Sequence, residues 1–155
     1  MKDSAALNTM IEVATRRRDE ALQALGQAQR EHQQAQLQMT QLQGYSAESL
    51  QRWGQRASLG FSPALLRTHQ TFMGKLDHAV TFQNGVVQRL QLHVEHCHEQ
   101  WLQTERDLAS LQKYLERRQQ TWQHQLQRQE QKSNDEMAAN LHRQHQGHND
   151  WRPPA

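Results

Sequence analysis

Apolar side chains recur at alternating steps of four and three residues along the first third of this chain, through Leu7, Ile11, Ala14, Arg18, Ala21, Leu25, Ala28, His32, Ala35, Met39 and Leu42. Only Arg18 and His32 depart from apolar character. Held over about five heptads, with Arg, Glu and Gln between, this spacing is the seam of a coiled coil. A globular helix would carry a wider apolar face. The composition agrees. Hydrophobic residues make up 35% of the chain, too few for a thick core. Glycine and proline number only 7 and 3, and glutamine, the commonest residue, is well tolerated in helices. No continuous β-branched run is present, which excludes alternating-strand α/β enzyme folds and leaves an all-α chain.

Asp3 or Ser4 is placed to cap a first helix over about 4–53. The pattern dissolves across 54–62, and Ser62-Pro63 then supplies a capping residue followed by proline at the first helical position. From Leu66 the same stepping resumes through His69, Met73, Leu76, Val80, Gln83, Val87, Leu90, Val94, Cys97, Trp101, Thr104, Leu108, Leu111, Leu115, Arg118 and Trp122. A second helix over about 63–140 is expected, with Gly74 and Gly85 each costing about 1 kcal/mol relative to Ala. One domain over 1–140 results, followed by a disordered tail over 141–155. So short a connection predicts an antiparallel hairpin, that is, a long two-helix coiled coil. With the bend midway between Trp53 and Ser62, Leu25 faces Leu90, Ala14 faces Trp101, Leu7 faces Leu108 and the polar His32 meets the polar Gln83. Two heptad seams also agree in registers seven residues apart, so the match supports the hairpin without fixing its register.

A net charge of +2 with interspersed signs gives no field for nucleic acid or anionic membrane. The lone Cys97 cannot form an internal disulfide, and no segment reads as a leader or a membrane span, so a soluble chain in the reducing cytosol is expected. In this register Leu111, Leu115, Trp122 and Leu126 extend beyond the first helix. Such an uncovered stripe marks an interface with another protein, with self-association and a frayed end as the alternatives.

The histidines do not converge on one ion: His93 and His96 share a helix face, but Cys97 points into the seam and His98 away from it. His142, His145 and His148 have the capacity for adventitious metal only. Arg16-Arg17-Arg18 before Asp19-Glu20 reads as a solvated, internally paired face. No phosphate loop, nucleophile elbow or pocket-forming body is encoded, so neither catalysis nor a cofactor is expected.

The arrangement Gln38-Met39, Leu42 and Tyr45 before the bend, the block His69-Gln70-Thr71-Phe72-Met73-Gly74-Lys75-Leu76-Asp77-His78-Ala79-Val80 after it, Trp101, and Glu130-Gln131-Lys132-Ser133-Asn134-Asp135-Glu136 together resemble the FliJ family of flagellar export proteins. The resemblance spans most of residues 7–140. It implies a cytoplasmic stalk, similar to the central stalk subunit of rotary ATPases and associated peripherally with the inner-membrane export apparatus. Its partners would be the hexameric export ATPase, the cytoplasmic part of the export-gate membrane protein, and export chaperones.

By motif match, Gln38, Leu42, Tyr45, Phe72, Leu76 and Ala79 would carry the gate contact, and the stripe of Leu111, Leu115, Trp122 and Leu126 would meet the ATPase ring. Ser49 departs from the family, which tends to place an aromatic there; Trp53 is the candidate to replace it. Phe72 and Leu76 admit a second reading as residues that widen the core. A substrate-holding cytoplasmic coiled-coil chaperone is the alternative function.

Overall fold

A computed structural model of the chain describes residues 2–149 together with Pro153 and Pro154. Two α-helices, α1 over Lys2–Ala57 and α2 over Pro63–Asn149, pack against each other as an all-α helical hairpin. No strand occurs among the described residues. α1 runs through Gly54 and stops at Ala57. The Gly60 amide donates to the Ala57 carbonyl at 3.2 Å, and Gly60 has φ of 95°, a left-handed conformation open to glycine at little cost. α2 starts where the Ser62 hydroxyl oxygen accepts the Leu65 amide at 3.2 Å, with Pro63 filling the position that needs no N–H donor. The bend is therefore residues 58–62, shorter than the sequence pattern suggests.

α2 continues past Asn140, the expected end, to Asn149. Ala138, Ala139 and Leu141 favour helix, and no proline intervenes before Pro153. The segment expected to be a disordered tail is thus helical over 141–149, while residues 150–152 and 155 lie outside the described residues.

The chain divides into two compact units, Glu12–Leu108 and a second made of Met1–Ile11 with Ala109–Ala155. In Glu12–Leu108, every stepped position from Ala14 to Leu42 and from Leu66 to Leu108 is buried or half-buried. The best-packed cluster joins Leu25, Ala28 and Cys97, with Val94 and Trp101 against it. Ala28 retains only 1% exposure. Small alanines on α1 opposite larger residues let the helices approach closely, which is how so polar a chain closes a thin core.

These contacts set the register one heptad away from the expected pairing. Cys97 packs with Leu25 and Ala28, not beside Arg18. Trp53 stacks on His69 with centroids 4.2 Å apart and planes 6° from parallel. Arg18 reaches past the seam to Glu105 at 3.7 Å. The cause is the later bend: α1 remains helical to Ala57, so the chain folds back farther along. Gln83, 9% exposed, does not pair with His32. Its amide donates to the Ala35 carbonyl at 2.9 Å and to the Gln38 side-chain oxygen at 3.2 Å. The Trp101 Nε1 donor is buried without a partner among the described residues, an arrangement that costs about 1–3 kcal/mol.

In the other unit, the first turns of α1 lie along α2. Leu7 is buried, Asp3 forms an ion pair with Arg118 at 3.7 Å, and Leu111 and Leu115 are half-buried. From Glu116 to Asn149 every residue is exposed.

Candidate functional site

Where the first turns of α1 meet α2, the two helices enclose an open groove of about 820 Å³. Leu7 and the half-buried Leu115 contribute its more protected apolar surface, while Tyr114 and Trp122 border it as exposed aromatics, 53% and 59% accessible. Among the described residues, Arg117 and Arg118 supply the charges of its lining. The Arg118 guanidinium lies 5.9 Å from the Tyr114 ring centroid, within cation–π range.

This geometry divides the four residues of the expected uncovered stripe. Leu111 and Leu115 are partly covered within the hairpin, because the register shift carries α1 about seven residues farther along α2 than the sequence pairing allowed. Trp122 and Leu126 remain open to solvent. Trp122 borders the groove, whereas Leu126 lies outside its lining. Sequence reasoning missed Tyr114 and Arg117, and counted as a seam position Arg118, which is exposed at the groove. The signal for Tyr114 was its place immediately before the seam residue Leu115, a position that flanks the helix–helix contact.

A second surface lies nearer the bend, in Glu12–Leu108. Tyr45 and Phe72 are 58% and 50% exposed. Each directly precedes a seam residue, Ser46 and Met73, which puts both on the same flank of an antiparallel pair. Their four expected companions behave differently. Leu76 is buried in the seam, Leu42 and Ala79 are half-buried, and the exposed Gln38 accepts the amide of Gln83. Leu76 is thus a core residue, as its second reading held, while Phe72 is not.

The Ser49 position is a half-buried part of the seam. Trp53 does not supply a free aromatic in its place, being stacked on His69 and tilted against Phe61 at 5.3 Å. An aromatic the motif match passed over, Phe82, is 65% exposed and borders a shallow α2 surface with Lys75, His78 and Ala79. It too directly precedes a seam residue, Gln83.

Neither surface has the geometry of a reaction centre. His93 Nε2 stands 3.7 Å from the Cys97 sulfur, and no group of three or more His, Cys, Asp or Glu side chains among the described residues is arranged to hold a metal ion. No described helix is long and apolar enough to cross a membrane. What the site offers is aromatic and aliphatic surface on a helical framework, which suits protein recognition.

The fold is that of an all-α helical hairpin. The family model of the flagellar FliJ protein matches residues 2–147, and the chain belongs to that family. Membership makes it a flagellar, export-related protein. The comparison with individual curated proteins finds no match.

Proposed function

We propose that this chain is the coiled-coil stalk of the flagellar export apparatus, binding the hexameric export ATPase through the Trp122 groove and the membrane export gate through the Tyr45–Phe72 flank. The observation that carries the proposal is that Trp122 in one unit and the Tyr45–Phe72 pair in the other are exposed aromatics not needed to close the hairpin seam. Exposed Trp, Tyr and Phe beside a helix pair are the residue types that a protein partner gains most by burying. Leu126 extends the ring-facing surface, and Gln38 and Ala79 border the gate-facing one. Leu111, Leu115, Leu42 and Leu76 serve mainly to close the hairpin beneath these surfaces.

Export chaperones are further partners in this reading, and the protein works in the cytoplasm, peripheral to the export apparatus at the inner membrane. The test is ATP hydrolysis by the purified export ATPase with and without the chain. Stimulation at low molar ratio, lost in Trp122→Ala and retained in Tyr45→Ala/Phe72→Ala, supports the assignment. A chain that holds unfolded or filament-forming clients equally well in every variant, with no effect on the ATPase, would support a general holding chaperone instead.

A further inference from the structure

We infer that the Trp122 groove takes an acidic, partly apolar segment of its protein partner, with Arg117 as the charge that recognises it. The inference rests on the ring-docking reading and adds the chemistry of what docks. Among the described residues the groove lining contains two guanidinium groups and no carboxylate. The two arginines are not equivalent. Arg118 is engaged within the chain, paired with Asp3 at 3.7 Å and placed over the Tyr114 ring at 5.9 Å. Arg117 has no ion pair among the described residues, although it too lines the groove. It is the charge left for an incoming group.

Three classes of occupant can be compared on this lining. A basic segment brings like charges against Arg117 and Arg118. A wholly apolar segment buries Leu115 and Trp122 favourably but strips water from a guanidinium without replacing its hydrogen bonds, which is strongly unfavourable. A segment with one bulky apolar side chain to seat between Leu115 and Trp122, and an Asp or Glu within about one turn of it, satisfies both halves of the groove. Arginine suits that task because its planar fork binds a carboxylate with two parallel hydrogen bonds. The same asymmetry rejects basic partners, giving the groove selectivity as well as affinity.

The test uses the full chain and the purified export ATPase hexamer, with binding measured at low and at moderate salt. Arg117→Glu is expected to weaken binding by about tenfold or more, and Arg117→Lys by only a few-fold. In Arg117→Gln the salt dependence should flatten. Arg117 is exposed and makes no ion pair within the chain, so the helicity of all three variants should match wild type. Trp122→Ala separates this inference from the reading beneath it. Binding lost in Trp122→Ala but unchanged in Arg117→Glu leaves ring docking intact and overturns the acidic partner. Binding unchanged in both overturns the docking and the inference together. Tighter binding by Arg117→Glu shows a basic partner and refutes the assignment outright.

Discussion

The hairpin register can be measured with the protein's own cysteine. Cys97 is buried and free, and it packs with Leu25 and Ala28. A single substitution, Leu25→Cys, therefore puts a second thiol within disulfide reach across the seam. In the alternative register Cys97 faces Arg18. Those two α1 positions differ by one heptad, or roughly 10 Å along the helix axis at 1.5 Å per residue, whereas a disulfide needs Cα atoms within about 7 Å. One of the two variants should close and the other should not.

The energetics give a second readout. Leu25 is 6% exposed, and truncating a side chain so buried costs about 2–3 kcal/mol, the lower part of the usual range because a two-helix core can partly collapse. Reduced Leu25→Cys should melt earlier than wild type by that amount. Oxidation closes a loop of about 72 residues, for which chain entropy gives roughly 4 kcal/mol of stabilisation, so the oxidised form should overtake wild type. Free-thiol titration, mobility on a non-reducing gel and urea unfolding followed by circular dichroism read the three quantities. Rapid disulfide formation by Arg18→Cys with none in Leu25→Cys would refute the register and every pairing drawn from it.

The remaining predictions concern single side chains. Leu115→Ala should destabilise the protein by about 1–2 kcal/mol and Trp122→Ala by less than about 0.5 kcal/mol, since one is half-buried and the other 59% exposed; equal costs in urea unfolding would make Trp122 a core residue. Tyr45→Ala/Phe72→Ala should abolish binding to the purified cytoplasmic domain of the export gate while changing stability by under about 1 kcal/mol. Retained binding in that double variant removes the gate assignment. Trp101→Phe should leave stability unchanged or raise it by about 1 kcal/mol, because it deletes a buried donor that has no acceptor. A large fall in melting temperature would mean that the indole fills space a phenyl ring cannot.

The seam itself was legible residue by residue, because the step between apolar positions is a local property and survives any tertiary arrangement. The register was not, since a heptad pattern is unchanged by a seven-residue slide. Only the bend selects among the alternatives, and its place turned on Gly54. Glycine there lowers helix propensity without forbidding helix. The chain remains helical to Ala57, and Gly60 then turns it with a left-handed backbone. The later stop at Ala57 carries α1 farther along α2 and leaves Leu111 and Leu115 partly covered. On the flank, Tyr45 and Phe72 were legible from the family motif, but the burial of Leu76 depended on packing. Arg117 was invisible for a different reason: its meaning comes from having no ion pair while Arg118 has one, a distinction spacing alone does not encode.

The stacked rings of Trp53 and His69 also bear on the order in which the helices come together. They lie about 16 residues apart in sequence, whereas Leu7 and Leu115 are about 108 apart, a difference worth roughly 1.7 kcal/mol in loop-closure entropy. Pairing is therefore favoured first beside the bend and travels outward like a zipper, with the local contact nucleating the distant ones. The closure at Leu7 and Leu115 comes last and, by the same reasoning, opens first. Amide hydrogen exchange should grade along α1 accordingly, fastest in the turns around Leu7 and slower toward the bend. The groove that awaits a partner is thus built on the pairing that forms latest, and an occupant bridging α1 and α2 there would act as a clasp.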